Sequence, residues 1–325
     1  MQTDTRRAPI VAVLIPCRNE GRSIGTVVTS FRAELPTSTI FVYDNNSTDD
    51  TVARARSAGA NVRHETKQGK GNVVRRMFAD IDADIYVLVD GDDTYDASSV
   101  TLMIALMIDS QLDMVNATRI TDSAAAFRRG HRFGNALLSG MVARIFGRDI
   151  KDMLSGYRVF SRRFVKSFPA TASGFETETE FTVHALELRM PVGEIELQYR
   201  ERPSGSESKL RTYIDGIRIL KSIVFLVKEG RPLLFFSLAA LLLSLIALGL
   251  AVPLIVTYLQ TGLVPRLPTA VLVTGLVLLA FLSLVCGLIL DTVSRGRREM
   301  KILAYLSIPG IAASVLALEA LPDAR

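Results

Sequence analysis

Ile85-Tyr86-Val87-Leu88-Val89-Asp90-Gly91-Asp92-Asp93 is the stretch on which the reading of this chain turns. The five apolar residues read as a buried strand. Three carboxylates follow at once, where that strand ends. Carboxylates clustered at a strand end suit a hard divalent cation, and such a cation can bridge a diphosphate. Alone, Asp and Gly also make ordinary acidic turns. The surroundings have to decide between the two.

Working outward, apolar runs alternate with amphipathic segments. Val11–Ile15, Thr39–Tyr43 and Ile85–Val89 read as strands, with Val62–Glu65 and Met114–Thr118 as weaker candidates. Between them Ser23–Glu34, Thr51–Ala58, Val73–Ile81 and Ser98–Ser110 have helical spacing, with Ser23 and Asp49 as candidate N-caps. Alternating β and α elements predict a mostly parallel α/β sheet covered on both faces, with ligands beyond the carboxyl ends of its strands. Three polar clusters fall at such ends: Arg18-Asn19-Glu20, Asp44-Asn45-Asn46-Ser47 and Asp90–Asp93. Further on, helical patterns around His131–Phe146 and Phe175–Met190 and a strand over Val192–Tyr199 are expected to form the acceptor-facing half of the same domain.

Two long apolar runs follow. Leu233–Leu259 carries no charge over 27 residues, about 40 Å of helix. Thr269–Leu290 is also uncharged, at about 33 Å. Both exceed the roughly 30 Å hydrocarbon core of a bilayer. Lys228 and Arg231 precede the pair, Arg295, Arg297, Arg298 and Lys301 follow it, and the connection holds only Arg266. The positive-inside rule then places both flanks in the cytoplasm, as a multi-pass protein of the cytoplasmic (inner) membrane. Between Arg200 and Arg231 eight Lys/Arg stand against four Asp/Glu, where a basic segment meets anionic headgroups or a lipid phosphate. Tyr213–Lys228 suits a helix lying at the membrane surface or packed on the soluble domain. Ile302–Leu318 is apolar but broken by Pro309-Gly310, so a packed or interfacial tail is expected rather than a third span. Gly249, Gly275 and Gly287 hint at helix contact, which leaves a homo-oligomer open.

The net charge of +5 is modest and gives no argument for nucleic acid. Cys17 and Cys286, the only cysteines, support neither a disulfide framework nor a zinc site. Arg6 and Arg7 precede a run that stops at Pro16, too short for a signal peptide. His64, His131 and His184 lack metal-ligand spacing and read as structural.

The ordered set Pro16-Cys17-Arg18-Asn19-Glu20, Asp44-Asn45-Asn46-Ser47-Thr48-Asp49, Lys70-Gly71-Asn72, Asp90-Gly91-Asp92, Ser155-Gly156-Tyr157-Arg158 and Ser208-Lys209-Leu210 resembles family 2 glycosyltransferases of the GT-A fold. It is most similar to those acting on polyprenyl or dolichyl phosphate, and it covers roughly residues 9–231. The resemblance implies a GT-A domain over 1–211, a juxtamembrane amphipathic helix over 212–231, two transmembrane helices within 232–293 and a cytoplasmic tail over 294–325. It implies an inverting, Mg²⁺- or Mn²⁺-dependent transfer of one sugar from a UDP- or GDP-hexose to polyprenyl phosphate. By the same resemblance Asp44 meets the base; Pro16, Arg18, Glu20, Asn46 and Gly91 line the nucleotide pocket; Lys70 lies near the donor. Asp90 faces ribose or sugar, and Asp90 and Asp92 hold the metal. Asp152, Arg158 and Lys209 join Asp92 as catalytic candidates. Arg119, Arg132, Arg202 and Lys209 are candidates for the phosphates of donor and acceptor, with Glu180 nearby. The Arg202 to Lys209 spacing is one residue longer than in dolichyl-phosphate mannose synthases, and Asp93-Thr94 replaces their Leu-Gln. Processive polysaccharide synthases carry a Q-x-x-R-W motif, and this chain has no tryptophan. A transferase with a non-polyprenyl acceptor and a non-catalytic nucleotide-binding scaffold are the remaining alternatives.

Overall fold

A computed structural model describes residues 9–120, 140, 151–171, 174, 176–199, 228 and 230–311. The chain divides into two compact units, one of Met1–Gly216 with Lys301–Arg325 and one of Ile217–Met300.

The first unit holds a seven-stranded sheet. Its strands are β1 (Val11–Cys17), β2 (Thr39–Asp44), β3 (Asn61–His64), β4 (Ile85–Leu88), β5 (Met114–Ile120), β6 (Arg158–Ser161) and β7 (Val192–Gln198). They lie in the order β3-β2-β1-β4-β6-β5-β7. The pairs β1–β2, β1–β4, β2–β3 and β5–β7 are parallel, while β6 runs antiparallel between β4 and β5. The chain leaves β1 in one direction toward β3 and returns on the other side as β4. That reversal opens a crevice at the strand ends, where open α/β sheets bind ligands.

The connecting helices are α1 (Ile24–Glu34), α2 (Thr51–Ser57), α3 (Lys70–Asp80), α4 (Val100–Asp109), α5 (Arg162–Ser167) and α6 (Thr177–Glu187). Side chains alternate across each strand, so β1 supplies both faces. Val13, Ile15 and Cys17 join Val27, Phe31, Met103 and Met107 in one buried cluster. On the other face Tyr86 and Phe160 meet an aromatic cluster of Phe78, Phe164, Phe168 and Phe181, with ring centroids 4.5–6.3 Å apart.

Three local expectations are corrected. α3 starts at Lys70, three residues before Val73, because Gly69 takes a positive φ of 130° and turns the chain into the helix early. Ser23 does not cap α1 with its side chain; its Oγ donates 2.6 Å to Gly91 O instead. Asp50, not Asp49, precedes α2, while Asp49 accepts from Gly21 N and Thr51 N. The segment Arg158–Ser167 forms β6 and α5, elements too short to carry a periodicity. The helical pattern around His131–Phe146 and the segment Tyr213–Lys228 lie outside the described residues, Gly140 and Lys228 apart.

In the second unit α7 (Pro232–Thr261) and α8 (Leu267–Leu306) are long and apolar enough to cross a membrane. Ser283 Oγ donates 3.1 Å to Phe236 O, and a Cβ on Gly287 would lie 2.9 Å from Phe236 Cβ, so the two helices pack closely there. α8 continues past the apolar run as far as Leu306, and its residues from Lys301 onward belong to the first unit. There Lys301 pairs with Glu187 at 2.7 Å, Tyr305 donates 2.8 Å to Asp113, and Ile311 is buried in the core cluster.

Candidate active site

Three loops meet at the carboxyl edge of β2, β1 and β4, and side chains lace them together. Asn19 N donates to Ser47 Oγ (2.9 Å) and Thr48 N donates back to Asn19 Oδ1 (2.8 Å). Glu20 N and Gly21 N donate to Thr51 Oγ1 and Asp49 Oδ2. Ser23 ties this pair of loops to Gly91. Each loop turns through one left-handed residue: Asn19, Asn46 and Asp93, with φ of 53°, 60° and 59°. Asn and Asp tolerate that region better than other side chains.

The Asp90–Asp93 turn is packed tightly from below. A Cβ on Gly91 would lie 2.6 Å from Cys17 Sγ. Burial, then the neighbouring carboxylates, push the Cys17 thiol well up, so it serves as packing and not as a nucleophile. Asp92 is buried and accepts from Thr94 Oγ1 at 2.6 Å. Asp90 is partly open and pairs with Lys70 Nζ at 2.5 Å. A Cβ on Gly156 would collide with the Asp90 carboxylate, so the Ser155–Arg158 loop packs against that carboxylate through a glycine. Gly156 N also donates 3.0 Å to the hydroxyl of Tyr95.

Lys70 has a second partner that sequence reasoning did not single out. Glu178 Oε1 in α6 also lies 2.5 Å from its ammonium, and Glu178 Oε2 is buried without a hydrogen-bond partner. Burial works against the ammonium, but Asp90 and Glu178 outweigh it and raise the Lys70 pKa above the ordinary lysine range. In sequence Glu178 is one of three alternating glutamates at a helix start, a pattern that a solvated face shares. Glu180, the glutamate expected near the site, accepts from Thr171 N at 2.9 Å and from the Thr171 hydroxyl.

On the far side Asp152 and Arg119 are brought together. Arg119 Nε and Nη2 donate 2.7 and 2.9 Å to the two oxygens of Asp152. Burial raises the Asp152 pKa, but this fork overcomes it and holds the carboxyl below the usual range. Asp152 is therefore an ionised anchor and a poor proton acceptor. Arg119 also lies over Tyr199, 5.5 Å from the ring. Asn116 Nδ2 donates to Asp152 O (2.8 Å) and Glu194 accepts from Asn116 and Lys151 N, which pins the loop. Arg158 is fully buried and turns inward. Its donors go to Ser155 O, Met153 O and Thr182 Oγ1, and burial pulls its pKa down to about 10. Its geometry is that of a brace holding the Gly156 loop to α6.

Asp44 ends β2 fully buried, with Ser47 N and His64 Nδ1 on its carboxylate. Pro16 sits in β1 beside Tyr43, Glu20 is partly buried, and Arg18 meets the Gln68 carboxamide. Asn46 Nδ2 donates to Thr66 O. Asn45 stands in the same cluster. It accepts from Gly69 N (2.8 Å) and donates to Glu65 O and Lys67 O, and so sets the turn that presents Lys70. Arg132, Arg202 and Lys209 lie outside the described residues.

A model of glycosyl transferase family 2 matches residues 12–168. The glycosyltransferase AglJ of Haloferax volcanii is 33% identical over 243 residues, 74% of this chain and 80% of that one. The chain belongs to glycosyl transferase family 2. A dolichyl-phosphate hexose transferase of the same organism is 29% identical over 227 residues, covering 68% of this family 2 chain and 95% of that protein. Among solved structures, glucosyl-3-phosphoglycerate synthase of Mycobacterium tuberculosis with Mn²⁺, UDP and glucosyl-3-phosphoglycerate aligns at a TM-score of 0.55 and 21% identity, over 68% of this chain and 80% of that one. That likeness shows the GT-A fold. Asp90 and Asp92 fit a hard cation in a family 2 site: magnesium-type ions take one or two carboxylates and complete their shell with phosphate and water. Among the described residues no group of three or more His, Cys, Asp or Glu forms a closed cage.

Proposed function

We propose that this family 2 transferase moves one sugar from a nucleoside diphosphate to polyprenyl phosphate at the cytoplasmic face of the inner membrane, with inversion. The observation that carries this reading is the joining, in one chain, of a strand-end Asp90/Asp92 site with two apolar helices of membrane-spanning length. The 29% identity to a dolichyl-phosphate hexose transferase supports the acceptor class. Described residues on both sides of the hairpin, up to Tyr199 and from Lys301, belong to one unit. A unit on one side of a bilayer requires an even number of crossings, and two helices supply it.

Asp92 and Asp90 are the residues that would hold Mg²⁺ or Mn²⁺, and such an ion would supply positive charge to offset that of the leaving nucleoside diphosphate. Lys70, held by Glu178, fixes the Asp90 carboxylate in place. Asp44 receives the base, with Pro16, Arg18, Glu20 and Asn46 around the nucleoside. Asp152 orients Arg119 toward the acceptor phosphate, with Arg132, Arg202 and Lys209 adding positive charge. No strong general base is needed: a phosphate monoester has a second pKa of about 6 and is mostly ionised at neutral pH. Its oxygen attacks the anomeric carbon, the bond to the diphosphate oxygen breaks, and that oxygen leaves with the electron pair.

The test is transfer of label from a panel of UDP- and GDP-sugars to undecaprenyl phosphate, using full-length protein in detergent with Mn²⁺ or Mg²⁺. Label is expected in the organic phase from one donor. Asp92→Asn is expected to lose about a hundredfold or more, the scale of losing one charge-stabilising group, and EDTA to abolish transfer. Wild-type rates from Asp92→Asn would sink the metal assignment. Label entering 3-phosphoglycerate but no lipid would replace the acceptor.

A further inference from the structure

Asp44 offers a base less than a whole carboxylate. Ser47 N donates to both its oxygens, at 3.3 and 3.2 Å, and His64 Nδ1 lies 3.1 Å from Oδ2. His64 stands directly beside Asp44 in the parallel register of β2 and β3. The asymmetry between them is large: the His64 side chain is 54% exposed and that of Asp44 is 2% exposed. The backbone braces the pair, because Glu65 N donates 3.0 Å to Asp44 O and Asn45 holds Glu65 O and Lys67 O. The contact therefore follows from strand pairing and a buried amide, which a chance surface approach would not provide.

We propose that His64 sets the base preference of the donor site, occupying Asp44 Oδ2 so that the site selects a uracil nucleoside diphosphate over a guanine one. This rests on the reading that Asp44 meets the base. Uracil presents a single ring N–H between two carbonyls. Guanine presents its ring N–H and its amino group side by side, a pair that spans both oxygens of a carboxylate. Each carboxylate oxygen accepts two donors; with Ser47 N shared by both and His64 Nδ1 3.1 Å from Oδ2, the open acceptor site is on Oδ1 alone. Uracil loses nothing by this, since its single N–H takes Oδ1. Guanine's amino group is left facing another donor, and a buried donor without an acceptor is costly. His64 acts through Asp44 and is a positioning residue.

The experiment is calorimetric binding of UDP and of GDP, with Mn²⁺, to the full-length protein in detergent. Wild type is expected to bind UDP about tenfold tighter than GDP or better, the value of one hydrogen bond. His64→Ala is expected to cut that ratio by about tenfold, through a gain in GDP affinity. His64→Gln retains an N–H donor at this position and is expected to restore most of the preference, which loss of a merely structural ring would not do. GDP binding as tightly as UDP in wild type, or an unchanged ratio in His64→Ala, overturns the inference. If both nucleotides bind equally while sugar transfer persists, the His64 inference alone falls. If neither binds, the donor-site reading falls and the base preference with it.

Discussion

Lys70 and Glu178, from helices on either side of the Gly156 loop in sequence, meet at 2.5 Å with the ammonium and the carboxylate both largely buried. The same ammonium holds Asp90 at 2.5 Å. One cation thus joins the strand-end turn to α6 and fixes how far Asp90 can move.

Breaking that pair from one side leaves a buried charge without its partner, at a cost of about 3–5 kcal/mol. Lys70→Met is expected to lower both the melting temperature and transfer, because two carboxylates lose their cation. The double variant Lys70→Met/Glu178→Gln should recover part of the stability and none of the activity. Thermal melts and transfer rates on Lys70→Met, Glu178→Gln and the double variant check this; additive losses of stability would refute the coupling.

Gly91 is confined by sterics alone, since its φ is not in the left-handed region. Gly91→Ala should cost about 1–3 kcal/mol as its methyl is driven into Cys17 Sγ. Cys17→Ala removes the obstructing sulfur, while Ile15 and Ile24 stay at 3.5 Å, ordinary contact. The double variant should therefore be more stable than Gly91→Ala alone. A double-mutant cycle by urea unfolding decides it, and a coupling near zero would rule out the contact.

His184 is buried against the Phe164 and Phe168 rings with Ser167 Oγ 3.1 Å from Nε2. Burial, then the Lys301 charge, pulls its pKa down to about 3. The unfolded chain, with histidine near about 6.5, binds more protons than the folded one below that pH. Stability from His184 is thus fully present above about 6.5 and lost as pH falls toward 3, by roughly 1.4 kcal/mol per unit. Asp152, lowered by Arg119, acts in the same direction but only around pH 4 and below. Melting temperatures between pH 6.5 and 5 should fall in wild type and stay nearly level in His184→Phe. Equal slopes in both would refute the assignment.

Asp113 gathers Ser161 Oγ, Arg163 and Tyr305 on one buried carboxylate, at 2.5–2.8 Å, and Arg163 stacks 4.8 Å from the Tyr305 ring. Asp113 immediately precedes β5, which carries Arg119 near its far end, so the residues after Met300 belong to the catalytic unit's own fabric. Tyr305→Phe should cost about 1.5–3 kcal/mol, the range for a hydrogen bond to a charged group. A stop after Met300 should cost more and reduce transfer with it. Unchanged melting of the truncated protein would show the segment to be dispensable.

Much of the site was legible in the chain, and the reason is local. Asp44, Asp90 and Asp92 each follow an apolar run that can only be a strand, and strand direction sends all three to one edge. Asp152 and Arg119 were both legible as charged residues near the site, but not as each other's partner. Arg158 was legible as a charge and misleading as one, since a buried brace and a catalytic arginine are the same letter. β6 escaped notice because four residues beginning with arginine carry no usable period.

By itself the sequence determined the alternating α/β order, the strand-end carboxylates and two uncharged runs long enough for a bilayer. These are properties of contiguous residues, set by backbone period and by segment length. Only the tertiary structure decided that Lys70 serves both Asp90 and Glu178, that Arg158 faces inward, that β6 runs antiparallel, and that Tyr305 reaches Asp113 across 192 positions. Each depends on which charges burial forces together, and burial is fixed by the path of the whole chain.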